Sequence, residues 1–499
     1  MAQSMSASAP ASDSPPAEGL ERNAVGLTEV LFQSITHMAP AVATALSIGF
    51  ATTFAGGITP LAVLFALIAC LFTAYSMSQF GRYISSAGGM YTWVSRGLGS
   101  FFGWLVAWAF TLAEPIVPAA LYASFGFFGA AFITELTGFS ADYLWLVLAV
   151  ACGLIVWALT YYGIQLSTRV GVVLGSIEIG IFLVVSALLV ANSSKPADTS
   201  VFIPADGNVI PALQGMVFCI LAFVGFEAAA PLGEEAREPR STIPRAVILS
   251  CVLIGLFYIF CYYAATVFFG PDKMKADFIG ANNGNPWGGM AEQVLPGIGS
   301  LLVTFAIINS SLANANAGAN ASTRVIFSLG RSRLLPHALA AVHPIHRTPV
   351  NAVHVQGVIG IVLAVGLGLL FTKEAAGGPL TTYFFIGYLL GLLFAAMYIA
   401  VNAAAIGFFL TEQRDQFNVF KHLVVPVLGI IAMVIGFVSA LGGVTIPIID
   451  AVIPPLTPPF SYAPPIVGIW IVIGVVLYFV LRARNPQATS EIGAAVAEA

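Results

Sequence analysis

At 499 residues the chain is long enough for several soluble domains. Charged residues make up only 8% of it and hydrophobic residues 58%, against about 25% charged in soluble proteins, and mean hydropathy is +0.92. That excludes a water-covered globule and makes lipid part of the solvent, so the net charge of −4 carries little information.

Residues 1–24 are rich in Ser, Ala and Pro, lack an apolar stretch, and read as a disordered cytosolic tail rather than a signal peptide. A helix needs about 20 apolar residues to cross a bilayer. Residues 30–81 form one run without Asp, Glu, Lys or Arg, enough for two spans joined at Ala55-Gly56-Gly57. Continuing along the chain, the expected spans are 27–55, 58–80, 100–132, 142–162, 169–191, 211–232, 246–270, 298–328, 351–371, 381–410, 421–441 and 464–483, called spans 1 to 12 below. Residues 485–499 form a second cytosolic tail. Of the 19 Lys and Arg residues, only Lys195, Lys273, Lys275 and Lys373 then fall on one side, and all the arginines fall on the other. The positive-inside rule makes the arginine side cytosolic and both termini with it. The five cysteines all lie in apolar stretches and form no CxxC pair, so neither a metal site nor a disulfide frame is expected.

Two spans carry helix-breaking residues at mid-depth. Span 1 has His37-Met38-Ala39-Pro40-Ala41-Val42-Ala43-Thr44, where Pro40 lacks a backbone donor. Span 6 has Ala222-Phe223-Val224-Gly225-Phe226-Glu227. A broken helix exposes amides that meet a carboxylate and carbonyls that meet a cation, and inverted-repeat transporters place such breaks first in each half. Ordinary kinks and packing glycines give similar marks.

Three stretches resemble the amino acid–polyamine–organocation superfamily: SSAGGMYTWVSRGLGSFFGW (85–104), FVGFEAAAPLGEEAREPRSTIPRAV (223–247) and STRVIFSLGRSRLLP (322–336). The resemblance implies an all-α membrane protein of twelve transmembrane helices, a leucine-transporter-like five-plus-five inverted repeat with two added C-terminal helices. The first repeat would be 25–192, the second 193–410, and the added helices 411–484. Most members carry a Gly-rich break in span 1, whereas this sequence has a Met-Ala-Pro element.

The resemblance implies that Ala41, Val42, Ala43 and Thr44 supply backbone groups to a substrate, that Phe223, Val224 and Gly225 face them, and that Phe226 and Tyr388 act as aromatic lids. Glu114, Glu178 and Glu227 lie within spans, where ionisation is costly and function is the default reading. Glu178 is the candidate carrier of a coupling proton, Glu227 an anchor at the break, and Glu114 a cavity acid favouring cationic groups; each also reads as a packing residue. His37 precedes the first break and could titrate near neutrality or pack. Asn309, Ser310, Ser311, Asn314 and Asn316 in span 8 could offer oxygens to sodium or serve as helix contacts. His343 and His346 form a weak metal signal without Cys or Asp nearby.

The expected function is a permease of the cytoplasmic membrane moving amino acids by proton symport or exchange, with a polyamine or organic-amine permease as the alternative. A proton is the expected coupling partner rather than sodium. No P-loop, HExxH or GxSxG motif is present, and no catalytic residue, cofactor, metal or nucleic-acid partner is expected.

Overall fold

The computed structural model describes residues 20–204, 207–374, 377–447, 451–453 and 455–484, with single positions 486, 489 and 492 beyond. The chain is almost entirely helical. Among the described residues, ten stretches are long and apolar enough to cross a membrane. The first, Leu27–Gly81, is 55 residues long and reverses inside: Gly56, at φ +54°, ends helix Ile48–Ala55, and helix Thr59–Gly81 follows one short turn later. The turn packs tightly, since a Cβ on Gly57 would stand 2.8 Å from the Pro271 carbonyl oxygen. The 33-residue helix Gly299–Arg331 is also long enough to cross but too rich in Asn and Ser to stand among the ten. Those polar side chains are buried against other helices.

Several helices outrun the spans expected from charge. Span 5 is helix Ile164–Ala191, separated from Leu144–Tyr162 by Gly163 alone, and span 7 is Pro239–Phe269. Arg169, Arg240 and Arg245 lie inside these helices, because a charge marks where the hydrocarbon ends and not where the backbone stops being helical. A small antiparallel hairpin, Val444–Ile446 with Ala451–Ile453, stands between spans 11 and 12.

Residues 1–19 of the expected N-terminal tail, and most of 485–499, lie outside the described residues. Residues 20–24 differ from the expected disorder. Leu20 is buried beside Ala87 and Phe327. The amides of Ala24 and Val25 donate to the Glu235 carbonyl, and Arg237 N–H donates to the Val25 carbonyl. Below this strap, Arg324 and Glu235 form an ion pair at 2.9 Å with both side chains fully buried. Arg331 pairs with Glu234 at 2.6 Å, and Glu234 also accepts from Ala87 N–H.

Span 1 breaks where proline dictates. Helix Leu27–His37 ends at Met38, Ala39 sits in the left-handed region at φ +48°, and Pro40 opens the next helical segment. A residue before proline is pushed out of the helical region, and proline at the first helical position loses no hydrogen bond. Span 6 breaks after helix Ile210–Phe223: Val224 is extended and Gly225 adopts φ +122° before a 3₁₀ segment over Phe226–Glu234. The two breaks touch. A Cβ on Gly225 would stand 2.6 Å from the His37 carbonyl carbon and 2.8 Å from Met38 N.

Two stability predictions follow from these contacts. Gly225→Ala places a methyl group into the span 1 backbone and lowers the unfolding temperature of the detergent-solubilised protein. Glu235→Gln leaves Arg324 buried and unpaired and costs about 3 kcal/mol. Combining it with Arg324→Met costs less than the sum of the single changes, measurable as a double-mutant cycle of unfolding midpoints.

Candidate functional site

The groups freed by the two breaks find partners on other spans. Pro40 has no N–H; the next two amides, Ala41 and Val42, donate to Glu178 Oε2 at 3.0 Å and to Ser310 Oγ at 3.3 Å. Glu178 thus stands at the start of the second half-helix of span 1, where the helix dipole favours an anion. The Tyr258 hydroxyl lies 2.8 Å from the Met38 carbonyl and 3.0 Å from the Ala222 carbonyl, one from each break. Tyr262, one turn along span 7, donates to the Thr44 carbonyl at 2.6 Å. Ser34 Oγ donates to the Phe226 carbonyl and accepts from Ala229 N–H.

Three titratable side chains meet between the breaks. His37 Nε2 is 3.5 Å from Glu114 Oε2, and His37, Glu114 and Glu227 each present a ligand atom within 4.8 Å of the others. They come from spans 1, 3 and 6, and all are buried. Glu227 Oε2 accepts from Gly225 N–H at 3.0 Å and from the Tyr398 hydroxyl at 2.6 Å, and Tyr398 stacks on Phe226 with ring centroids 5.2 Å apart. Among the described residues, Glu114 Oε1, Glu114 Oε2, Glu227 Oε1 and Glu178 Oε1 have no hydrogen-bond partner. The centre is rich in acceptors, and His37 Nδ1 is likewise buried without a hydrogen-bond partner among the described residues. Such a site suits a cation that brings its own N–H groups, and an imidazole with two carboxylates could also hold a divalent ion.

The sequence candidates fall into three groups. Ala41, Val42, Ala43, Thr44, Phe223, Gly225 and Phe226 are buried at the two breaks, with Val224 half-buried beside them. Glu114 and Glu227 join them through His37, and Glu178 and Ser310 lie against Ala41 and Val42. The remaining candidates stand elsewhere. Tyr388 lies tilted against Phe460 with centroids 5.2 Å apart, and the ring over Phe226 is Tyr398. Ser311 faces Ser124 of span 3 at 3.0 Å. Asn316 exchanges hydrogen bonds with Ser167 of span 5, and Asn309 donates to the Leu174 carbonyl. Ser311, Asn316 and Asn309 are therefore taken up in helix contacts; Ser310 meets span 1 at Val42, the Asn314 backbone meets it at His37, and Asn314 Oδ1 is buried without a hydrogen-bond partner among the described residues.

Tyr258, Tyr262 and Tyr398 were not singled out from the sequence. Tyr258 and Tyr262 are four residues apart, on one face of span 7, which was a readable signal. Tyr398→Phe removes one of the two donors to Glu227 Oε2. The change should weaken ligand affinity by about tenfold, from the loss of a bond to a charged group worth about 1.5 kcal/mol or more, while the protein still folds.

Comparison with known proteins agrees with this architecture. The amino acid permease family profile matches residues 26–475. The chain is 26% identical over 428 residues to the low-affinity putrescine importer PlaP of Escherichia coli strain K12, covering 82% of this chain and 86% of that protein. It is 24% identical over 450 residues to the branched-chain amino acid permease BcaP of Bacillus subtilis strain 168, covering 85% of each. It is 27% identical over 367 residues to cationic amino acid transporter 4 of Mus musculus, covering 70% of this chain and 54% of that one. The broken spans, the buried acids between them and a match running nearly the length of the chain lead to one conclusion: this multi-pass membrane protein belongs to the amino acid permease family.

Proposed function

We propose that the chain is a secondary permease of the cytoplasmic membrane, with both termini cytosolic, twelve crossings and a five-plus-five repeat. Counting Leu27–Gly81 as two crossings and adding Gly299–Arg331 to the other nine stretches gives that number. The substrate is an amino acid, recognised first through its ammonium group. One observation carries this reading: three carboxylate oxygens of Glu114 and Glu227 are buried at the meeting point of the two breaks without a hydrogen-bond partner among the described residues. Leaving them unpaired is costly, and an ammonium brings three donors.

Glu178 carries the coupling proton. As an anion it holds the Ala41 amide, which a substrate carboxylate would otherwise take; protonation withdraws that anion and opens the amide to the substrate. The dispersal of Ser311, Asn309 and Asn316 into helix contacts argues against a sodium site in span 8. A second reading is an amine without a carboxylate, such as the substrate named for the putrescine importer among the relatives. The occupied Ala41 and Val42 amides favour it, because such a substrate needs no anion site.

Uptake into proteoliposomes of labelled amino acids and of putrescine, under imposed proton or sodium gradients, separates these readings. An amino acid is expected to accumulate when the outside is acid, and Glu178→Gln to lose that accumulation. Glu114→Gln is expected to weaken apparent affinity by roughly 10- to 100-fold, the equivalent of about 1.5–3 kcal/mol for a hydrogen bond to a charged group. Uptake that needs sodium and ignores pH would remove the proton assignment. Uptake of putrescine alone, unchanged in Glu178→Gln, would select the second reading.

A further inference from the structure

We infer that His37, Glu114 and Glu227 form a site for a divalent transition-metal ion, occupying the same centre as the substrate ammonium and so acting as a blocker of the permease. The inference stands on donor geometry and does not require the substrate to be known. Metal–nitrogen and metal–oxygen bonds of about 2.1 Å place two ligands of a tetrahedral ion roughly 3.4 Å apart. His37 Nε2 and Glu114 Oε2 are 3.5 Å apart, and His37, Glu114 and Glu227 each offer a ligand atom within 4.8 Å of those of the other two. The second line of support is the state of the carboxylates. Both Glu114 oxygens and Glu227 Oε1 are buried and lack a hydrogen-bond partner among the described residues, so they are available to a cation without breaking an existing bond.

The surroundings hold these ligands in place. Tyr398 and Gly225 N–H fix Glu227 through Oε2 and leave Oε1 to coordinate, which is the kind of outer hydrogen bonding that orients metal ligands. His37 is the last residue of its half-helix and precedes the proline-enforced break. The donor set selects the ion class. One imidazole and two carboxylates suit Zn²⁺, Co²⁺ or Mn²⁺; a soft ion such as Cu(I) would want thiolate. Calcium would want six or more oxygens. Three protein ligands leave a fourth position to water, the arrangement of an open rather than a structural site.

The test uses the full chain, purified in detergent, chelator-treated and titrated with Zn²⁺ by calorimetry and with Co²⁺ by visible absorption. His343 and His346 stack at 4.6 Å between ring centroids and could bind metal on their own, so the titration is repeated with both changed to Ala. One ion per chain is expected in both backgrounds, with affinity falling at least about tenfold in His37→Gln and in Glu114→Gln. Absence of saturable binding, survival of full affinity in His37→Gln, or loss of binding when only His343 and His346 are changed would each overturn the inference. If a central variant does not fold, X-ray absorption of the Zn²⁺-loaded, otherwise unaltered protein decides: one imidazole among oxygen ligands supports the site, and two or more place the ion on the loop. Transport is measured separately in metal-free proteoliposomes, so failure of the metal site and failure of the permease reading give different results.

Discussion

In hydrocarbon a peptide group without a partner has nowhere to turn, and every other feature of the centre is arranged around that constraint. Two spans are interrupted at mid-depth, which frees amides and carbonyls where no water supplies a substitute. The structure answers by bringing the interruptions together. Gly225 fits against the His37 carbonyl because it has no Cβ; one tyrosine hydroxyl serves a freed carbonyl from each break; a carboxylate and a serine cap the first two amides after Pro40 in the second half-helix of span 1. Spans 5, 7 and 8 are thereby tied to the breaks by hydrogen bonds whose loss would expose bare backbone. The scaffold is thus defined from the inside, by what the broken helices need.

The same accounting separates acids that hold the fold from acids kept for a ligand. At the arginine-rich end, Glu235 binds Arg324 through both carboxylate oxygens, and Arg324 reaches Thr323 as well. Nothing in that pair is left over. At the centre, Glu227 commits one oxygen and Glu178 one, while Glu114 commits neither to a hydrogen bond and has only the imidazole of His37 at 3.5 Å. One buried carboxylate is satisfied completely, whereas four carboxylate oxygens at the centre have no hydrogen-bond partner among the described residues, and this contrast is what supports the proposed cation site. A buried carboxylate without a partner must either gain one or take up a proton, which connects the energetic defect of the resting centre to the proposed binding of a cation.

Much of this was legible because its cause is local. Pro40 determines where span 1 breaks, because the residue before a proline is disfavoured in the right-handed helical region. Gly225 marks the second break for the same kind of reason, and the charge-free run from 30 to 81 could only be two helices and a turn. The convergence of His37, Glu114 and Glu227 was not legible: each residue was visible alone, but nothing in spacing says that spans 1, 3 and 6 aim these side chains at one point. Tyr398 was missed in favour of Tyr388 for a related reason, since an aromatic in span 10 is informative only once the face toward Glu227 is known. The helix ends were misplaced at Arg169 and Arg245, where charge records the membrane boundary and the helix continues beyond it. The ordering of residues 20–24 depends on pairing with Glu235 and Arg237, far away in the chain, and no local signal announces it.

The position of Glu178 links recognition to energy in the proposed permease. The second half-helix of span 1 offers few amides, because proline has none and the next two are already capped. Two anions cannot share one amide, since like charges a few ångströms apart in a medium of low dielectric repel strongly. A substrate carboxylate and an ionised Glu178 are therefore alternatives, and in the proposed mechanism adding a proton to Glu178 exchanges one for the other. Coupling of this kind needs no relay of side chains across the membrane. It needs one amide, two candidate anions and a site dry enough for the choice between them to matter, and burial of Glu178, Ala41 and Val42 supplies that dryness.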